Sequence, residues 1–247
     1  MRIIHFSDVH AGGWLRDWTG LFDKRLLGTC NHVLRRARHH RWSRLIAAVR
    51  QIRLLAPDLV ICSGDITSLS EPREFELAMT TLEPLVSDRR FEFLYVPGNH
   101  DAYVARPRLQ QALRDAFRHL NRRRWTLDQL PQALSVQRWR VLAFNEAVAG
   151  RPWGSSGEMS PTAQAWAASE LATPLAAPVP ARVLVHHYPL RDAQGRRLSW
   201  RRGCHGTEDL LAAWDRGEMK FSLCGHIHTP FVRQDAGGGV EICAGSL

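Results

Sequence analysis

Residues 91–101 read Phe-Glu-Phe-Leu-Tyr-Val-Pro-Gly-Asn-His-Asp, an apolar and aromatic run that ends in Gly98-Asn99-His100-Asp101. The run has the length and composition of a buried strand. The polar residues after it offer an amide, an imidazole and a carboxylate, groups that bind cations or move protons. The same pairing recurs on both sides. Toward the N-terminus, apolar runs at 2–7 and 58–63 lead into Asp8-Val9-His10 and Gly64-Asp65. Toward the C-terminus, runs at 182–185 and 220–224 lead into His186-His187 and Gly225-His226-Ile227-His228. A further strand is expected at 141–144. Between the strands the apolar spacing turns helical. Leu45, Ala48, Val49, Ile52 and Leu55 recur until Pro57, then Phe75, Ala78, Met79, Leu82 and Leu85. A third helix is expected at 107–119. This alternation predicts a layered α/β fold. Hairpins are expected at 135–145, centred on Arg138-Trp139, and around 237–239 between strands at 231–234 and 240–244.

The chain has 247 residues, 45% hydrophobic and 23% charged. That composition excludes disorder, and no recurring period points to a repeat protein. One globular domain over 1–247 accounts for the length. The cysteines, Cys30, Cys62, Cys204, Cys224 and Cys243, form no C-x-x-C pair, and Cys62 and Cys224 sit in apolar runs as core thiols. No run approaches the roughly 18 apolar residues of a membrane span, and no charged-then-apolar leader opens the sequence. A cytoplasmic protein is the expectation.

Charge is unevenly placed. Lys and Arg total 33 against 24 Asp and Glu, for a net charge of +9. Residues 14–53 hold ten Arg and Lys against Asp17 and Asp23, and residues 103–124 hold seven Arg against Asp115. Concentrated positive charge implies an anionic partner. Within 11–41, Trp14, Leu15, Trp18, Leu21, Phe22, Leu26 and Leu27 begin an apolar stripe at helical spacing, flanked by Arg16, Lys24 and Arg25. We read this segment as an inserted amphipathic helix or helical pair. It suits an anionic membrane surface and equally suits packing on the domain.

In an α/β sheet the carboxyl ends of strands converge on one crevice. Asp, Asn and His gathered there, without thiolates, are the donors of a Mn, Fe, Zn or Co centre. The ordered set D-x-H, G-D, G-N-H-D, H and G-H-x-H resembles the calcineurin-like metallophosphoesterase family across residues 3–228. The resemblance implies a four-layer α/β/β/α sandwich holding two divalent transition-metal ions about 3.5–4 Å apart. By motif position it implies that Asp8, His10 and His228 hold one ion, that Asn99, His186 and His226 hold the other, and that Asp65 bridges. His186 is taken rather than His187 because doubled-His members of the family use the first. A hydroxide shared by the ions would attack phosphorus. His100 would steady the phosphoryl oxygens or protonate the leaving oxygen, with Asp101 orienting its ring.

The phosphate ester itself stays open at this point. The G-N-H-D and H-H-x-P elements are similar to bacterial phosphodiesterases of cyclic nucleotides or glycerophosphodiesters. The basic insertion is similar instead to that of UDP-2,3-diacylglucosamine pyrophosphatases, which take a lipid-linked substrate at the inner membrane face. The best-known branch of those enzymes carries Arg where this chain has His100. Arg106, Arg122 and Arg123 are the candidates for binding substrate. The leading expectation is a lipid-linked substrate with peripheral membrane contact, followed by a soluble phosphodiesterase and, distantly, a non-catalytic scaffold. Tryptophans 14, 18 and 42 lie among basic residues, but no nucleic-acid module accompanies them.

Overall fold

The computed structural model describes residues 1–12, 42–149, 154–175 and 181–247. The inserted segment expected at 11–41 lies outside these residues except for Ala11 and Gly12, and Ala11 bridges in parallel to Thr67.

The apolar runs form strands where the sequence places them. β1 (Ile3–Phe6), β2 (Leu59–Cys62) and β3 (Glu92–Tyr95) pair in parallel in that order. The helices α1 (Trp42–Leu55) and α2 (Pro72–Val86) connect them, and α3 (Pro107–Leu120) follows β3. A short 3-10 turn at Leu127–Gln129 then leads into the hairpin of β4 (Gln132–Val136) and β5 (Trp139–Ala143). The rest of the chain supplies β6 (Gly157–Glu158), α4 (Pro161–Ala172), β7 (Arg182–Val185), β8 (Cys204–His205), α5 (Glu208–Asp215), β9 (Met219–Cys224), β10 (Phe231–Gln234) and β11 (Val240–Cys243). A six-stranded sheet runs β10-β11-β9-β7-β5-β4. It is parallel inside, with antiparallel strands β4 and β10 at its edges. β6 and β8 form a small parallel ribbon of their own.

The alternation of side chains along each strand sorts them into layers. Val60, Cys62, Phe93 and Tyr95 face α1–α3 in one core. Leu59, Ile61, Leu94 and Val96 face the other way and meet Val141, Ala143, Val183, Val185 and Leu223 between the sheets. Leu142, Phe144 and Leu184 point to the far side, against α4 and α5. Helices, sheet, sheet and helices therefore stack as four layers, as the motif resemblance implies.

Local chemistry explains the helix starts. Glu71 and Glu74 form a reciprocal capping box ahead of Pro72 in α2, and the Ser160 side chain accepts the Ala163 N–H at 3.1 Å in α4. α4 and α5 have no counterpart in the sequence reading. α4 buries only Ala163 and Ala167, so it shows no large apolar stripe, and α5 has only 8 residues.

Trp214 in α5 is fully buried and its indole N–H donates to the Asp235 side chain. Trp214→Ala is expected to cost about 3–5 kcal/mol and to lower the melting temperature by about 10 °C. A thermal melt measures this, and a shift below about 3 °C would contradict the packing described.

Candidate metal centre

The strand ends carry their polar residues on unusual backbone. Asp8, His10, Asp65, His226 and His228 all take left-handed φ values, from 50 to 71°. Such a conformation costs a non-glycine residue on the order of 1 kcal/mol. Each turn is held by neighbours, since the Asp8 N–H donates to Gly64 O at 3.0 Å and the His10 N–H to Asp65 O at 2.9 Å. Gly225 precedes His226 because a Cβ there would run into the Ser7 hydroxyl and the Asp8 carboxylate. Backbone and carboxylate also meet directly, with the His226 N–H donating to Asp8 Oδ2 at 3.0 Å.

Asp8, His10, Asp65 and His228 place one donor atom each within 4.8 Å of one another. His228 Nε2 lies 3.1 Å from Asp8 Oδ1, and His10 Nε2 lies 3.7 Å from Asp8 Oδ1 and 3.9 Å from Asp65 Oδ2. A second group adjoins the first. Asn99 Oδ1 lies 2.9 Å from His226 Nδ1 and 3.2 Å from His187 Nε2, and His187 Nε2 is 3.5 Å from Asp65 Oδ2. Asp65 Oδ2 thus stands between the two groups. Its other oxygen accepts the His100 N–H at 2.7 Å, which fixes the carboxylate plane.

These contacts suit cations better than they suit each other. The His10 Nδ1–H donates to Thr67 O and the His187 Nδ1–H to Ser63 O, so each presents an Nε2 lone pair to the centre. The Nε2 atoms of His10 and His228 are 3.0 Å apart. Asp8 Oδ1, Asp65 Oδ2 and His226 Nε2 are buried with no hydrogen-bond partner. Buried acceptors of this kind are costly unless a cation satisfies them. Donor separations of about 3 Å are also those of neighbouring ligands on an ion with bonds of about 2.1 Å. The residues present fit divalent metal.

Electrostatics agree with that fit. Burial disfavours charge on Asp8, but the adjacent His10 and His228 rings outweigh it and hold the carboxyl well below its usual range. Burial likewise opposes ionised Asp65, and His187 and His100 outweigh it, so this carboxyl is also held low. Burial pushes His226 down to about 3, keeping the imidazole neutral as a ligand must be. Burial also works against a charge on His187, yet Asp65 lifts it to about 10, so a metal here competes with that proton. Between Asp65, Asn99, His100, His226 and His228 opens a cavity of about 380 Å³, with Ser155 and Arg202 on its remaining wall.

The model of the calcineurin-like phosphoesterases matches residues 1–230. The chain belongs to that family. A cAMP/cGMP dual specificity phosphodiesterase of Mycobacterium tuberculosis is 26% identical over 188 residues, covering 76% of this chain and 50% of that protein. A glycerophosphodiester phosphodiesterase of Enterobacter lignolyticus is 28% identical over 180 residues, covering 70% of this chain and 56% of the relative. The chain thus spans about half the length of these curated relatives. A dimetal phosphatase from Danio rerio shares the fold, with a TM-score of 0.63 at 15% identity, covering 98% of this chain and 86% of that one.

In this calcineurin-like phosphoesterase the structure does not bring every expected site residue to the centre. His186 is turned away from the centre, its Nδ1 3.3 Å from Glu146 and its Nε2 2.8 Å from Ser222. His187, in the bend that follows β7, faces Asn99 and Asp65 instead. Asp101 does not touch the His100 ring. Its carboxylate accepts from the Thr67 and Gly98 N–H groups and the Tyr95 hydroxyl, while burial and then Asp65 push it up to about 6. The His100 Nδ1–H donates to Ser68 O at 2.6 Å, and the ring stacks on Tyr103. Arg122 is committed elsewhere. Its guanidinium donates to the carbonyls of Leu85, Val86 and Asp88 at the C-terminal end of α2 and sits 3.6 Å from Glu92, at the far end of β3 from the metal cavity. Arg123 is exposed beside it and Arg106 precedes α3; neither lines the cavity. Ser155 and Arg202 do line it, and no motif marks them in the sequence.

Proposed function

We propose that this calcineurin-like phosphoesterase is a metal-dependent phosphodiesterase acting on small diesters such as cyclic nucleotides or glycerophosphodiesters. The carrying observation is the convergence of Asp and His donors on two adjoining positions that share Asp65 Oδ2, with Asp8 Oδ1, Asp65 Oδ2 and His226 Nε2 buried and without hydrogen-bond partners. In this reading Asp8, His10 and His228 hold one divalent ion, Asn99, His187 and His226 hold the second, and Asp65 contacts both. Oxygen and imidazole donors admit Mn, Fe, Zn or Co. When bound, the ions supply Lewis acidity and a water acidic enough to ionise near neutral pH.

The chain's own residues do the rest. With Nδ1–H committed to Ser68 O, His100 has Nε2 as its remaining nitrogen on a ring that lines the cavity. A protonated His100 donates there to a phosphoryl oxygen or to the leaving alkoxide. Asp101 is a positioning residue. Through Thr67, Tyr95 and Gly98 it fixes the loop that presents Asn99 and His100. The Asp65 bond to the His100 N–H ties that loop to the metal centre.

The substrate class draws on the relatives, which are named for cyclic nucleotides and glycerophosphodiesters. A small open cavity supports the same class. The lipid-linked reading draws only on segment 11–41 and the Arg122 cluster. The former lies outside the described residues except for Ala11 and Gly12, and in the latter Arg122 donates to backbone carbonyls and Arg124 pairs with Glu92. Among the described residues no helix is long and apolar enough to cross a membrane.

The test uses Mn-loaded protein with 3′,5′-cyclic AMP and a glycerophosphodiester. We expect AMP or glycerol phosphate to be released, and release to stop on chelation. Manganese at about 100 times its dissociation constant should also stabilise the fold by roughly 2.7 kcal/mol, read as a rise in melting temperature. Protein that binds two ions yet cleaves no diester would overturn the substrate class. Protein that binds none would overturn the centre.

A further inference from the structure

Six arginines in the C-terminal part of the chain are spent on carboxylates. Arg182 pairs with Glu170, Arg191 with Asp215, Arg196 with Asp192, Arg197 with Glu208, Arg216 with Glu218 and Arg233 with Glu241. Arg201 lies over the Trp200 ring. Arg202 differs from all of them. It lines the metal cavity, its charge acts on His226, and among the described residues no carboxylate pairs with it.

The backbone beneath Arg202 is pinned. The N–H groups of Arg202 and Gly203 both donate to Ser199 O at 2.8 Å. The Ser155 N–H donates to Arg201 O at 2.9 Å and the Gly157 N–H to Gly203 O at 3.1 Å, joining the two loops ahead of the β6–β8 pairing. Gly154 permits that approach, since its φ is +109° and a Cβ would sit 2.8 Å from Arg201 O. Beyond the ribbon, the Met159 N–H donates to His205 O, and Met159 is buried with α4 and α5. The two loops form one rigid wall carrying a guanidinium and a hydroxyl. Arg202 in this wall acts on His226, and the His100 ring, which lines the same cavity, lies 4.8 Å from His10.

We propose that Arg202, with Ser155 beside it, is a substrate-binding subsite that takes a non-bridging oxygen of the scissile phosphodiester. A planar guanidinium presents paired donors to phosphate oxygens, and a pinned loop lowers the cost of ordering them. The proposal rests on the phosphodiesterase reading above. It adds to His100 a second side chain of the same cavity that contacts the phosphate.

The test uses the Mn-loaded full chain and bis(p-nitrophenyl) phosphate, a diester whose one anionic group is the scissile phosphate. Arg202→Ala is expected to raise KM about tenfold while kcat changes by less than about threefold, the signature of lost phosphate binding. Arg202→Lys should recover part of the loss. Arg201→Ala removes the same charge from the adjacent position and should leave KM unchanged. Metal content should stay at the wild-type value in all three variants. Equal effects of Arg201→Ala and Arg202→Ala would overturn the proposal, because only long-range charge would then be acting. A fall in kcat accompanied by lost metal would overturn it too. Inorganic phosphate, titrated against the melting temperature of the metal-loaded proteins, separates this inference from the reading beneath it. If the wild type cleaves no diester but phosphate stabilises it and not Arg202→Ala, the anion subsite stands and the phosphodiesterase reading falls.

Discussion

Asp65→Asn is expected to lower phosphodiester turnover at least a thousandfold, equivalent to about 4 kcal/mol of transition-state stabilisation, without unfolding the protein. The Asp65 side chain has two separable jobs. Oδ1 accepts the His100 N–H at 2.7 Å, whereas Oδ2 is the buried, unpartnered oxygen between His10 and His187. Asparagine retains a carbonyl oxygen for the first job and puts a neutral group in place of the second. A neutral amide beside two divalent ions removes charge that both need. Metal analysis should therefore show fewer ions bound than in the wild type, while circular dichroism stays native. Turnover within tenfold of wild type at full metal content would sink the assignment of Asp65 to both ions.

The doubled histidine gives the second large effect, and it is a contrast. His187→Ala should strip the ion held with Asn99 and His226 and cut turnover by about a hundredfold or more, since a missing ligand removes both affinity and position. His186→Ala should leave metal content and most activity intact but destabilise the fold by about 2–4 kcal/mol, because Glu146 and Ser222 lose a buried partner. That corresponds to about 5–10 °C in melting temperature. Melting the metal-free forms separates stability from ion binding. If His186→Ala loses the metal and His187→Ala keeps it, the ligand assignment is reversed.

Why the sequence left those two histidines unresolved is a matter of parity. β7 is buried on both faces, with Val183 and Val185 between the sheets and Leu184 against the outer helices. Continuing the alternation puts His187 on the inter-sheet side, where the centre lies, and His186 on the helix side with Ser222. An apolar run buried on both sides carries no mark of which side is which. The strands themselves were legible for the same reason, as short unbroken apolar runs ending in Gly, Asp or His. Helices α1–α3 showed large residues at helical spacing, and the alanine-rich α4 did not. Most of the residues that converge on the centre were readable because Asp, Asn and His cluster at strand ends, whereas Arg202 sits on a loop whose approach to the cavity depends on pairing between segments distant in sequence. Arg122 stood out because a run of three arginines looks like an anion site from sequence alone. Its occupation by the carbonyls of Leu85, Val86 and Asp88 is purely a tertiary fact.

The left-handed backbone at Asp8, His10, Asp65, His226 and His228 sets catalysis and robustness against each other. At each of these positions glycine would relax the chain, so random change screened for heat resistance alone would drift toward glycine there and dismantle the centre one donor at a time. The retention of Asp and His at all of them in this chain is therefore the trace of a demand other than durability. In the metal-free protein that demand is a standing tension in the turns. On the proposed reading a bound ion would convert it into readiness, since the turns already hold the donors in place.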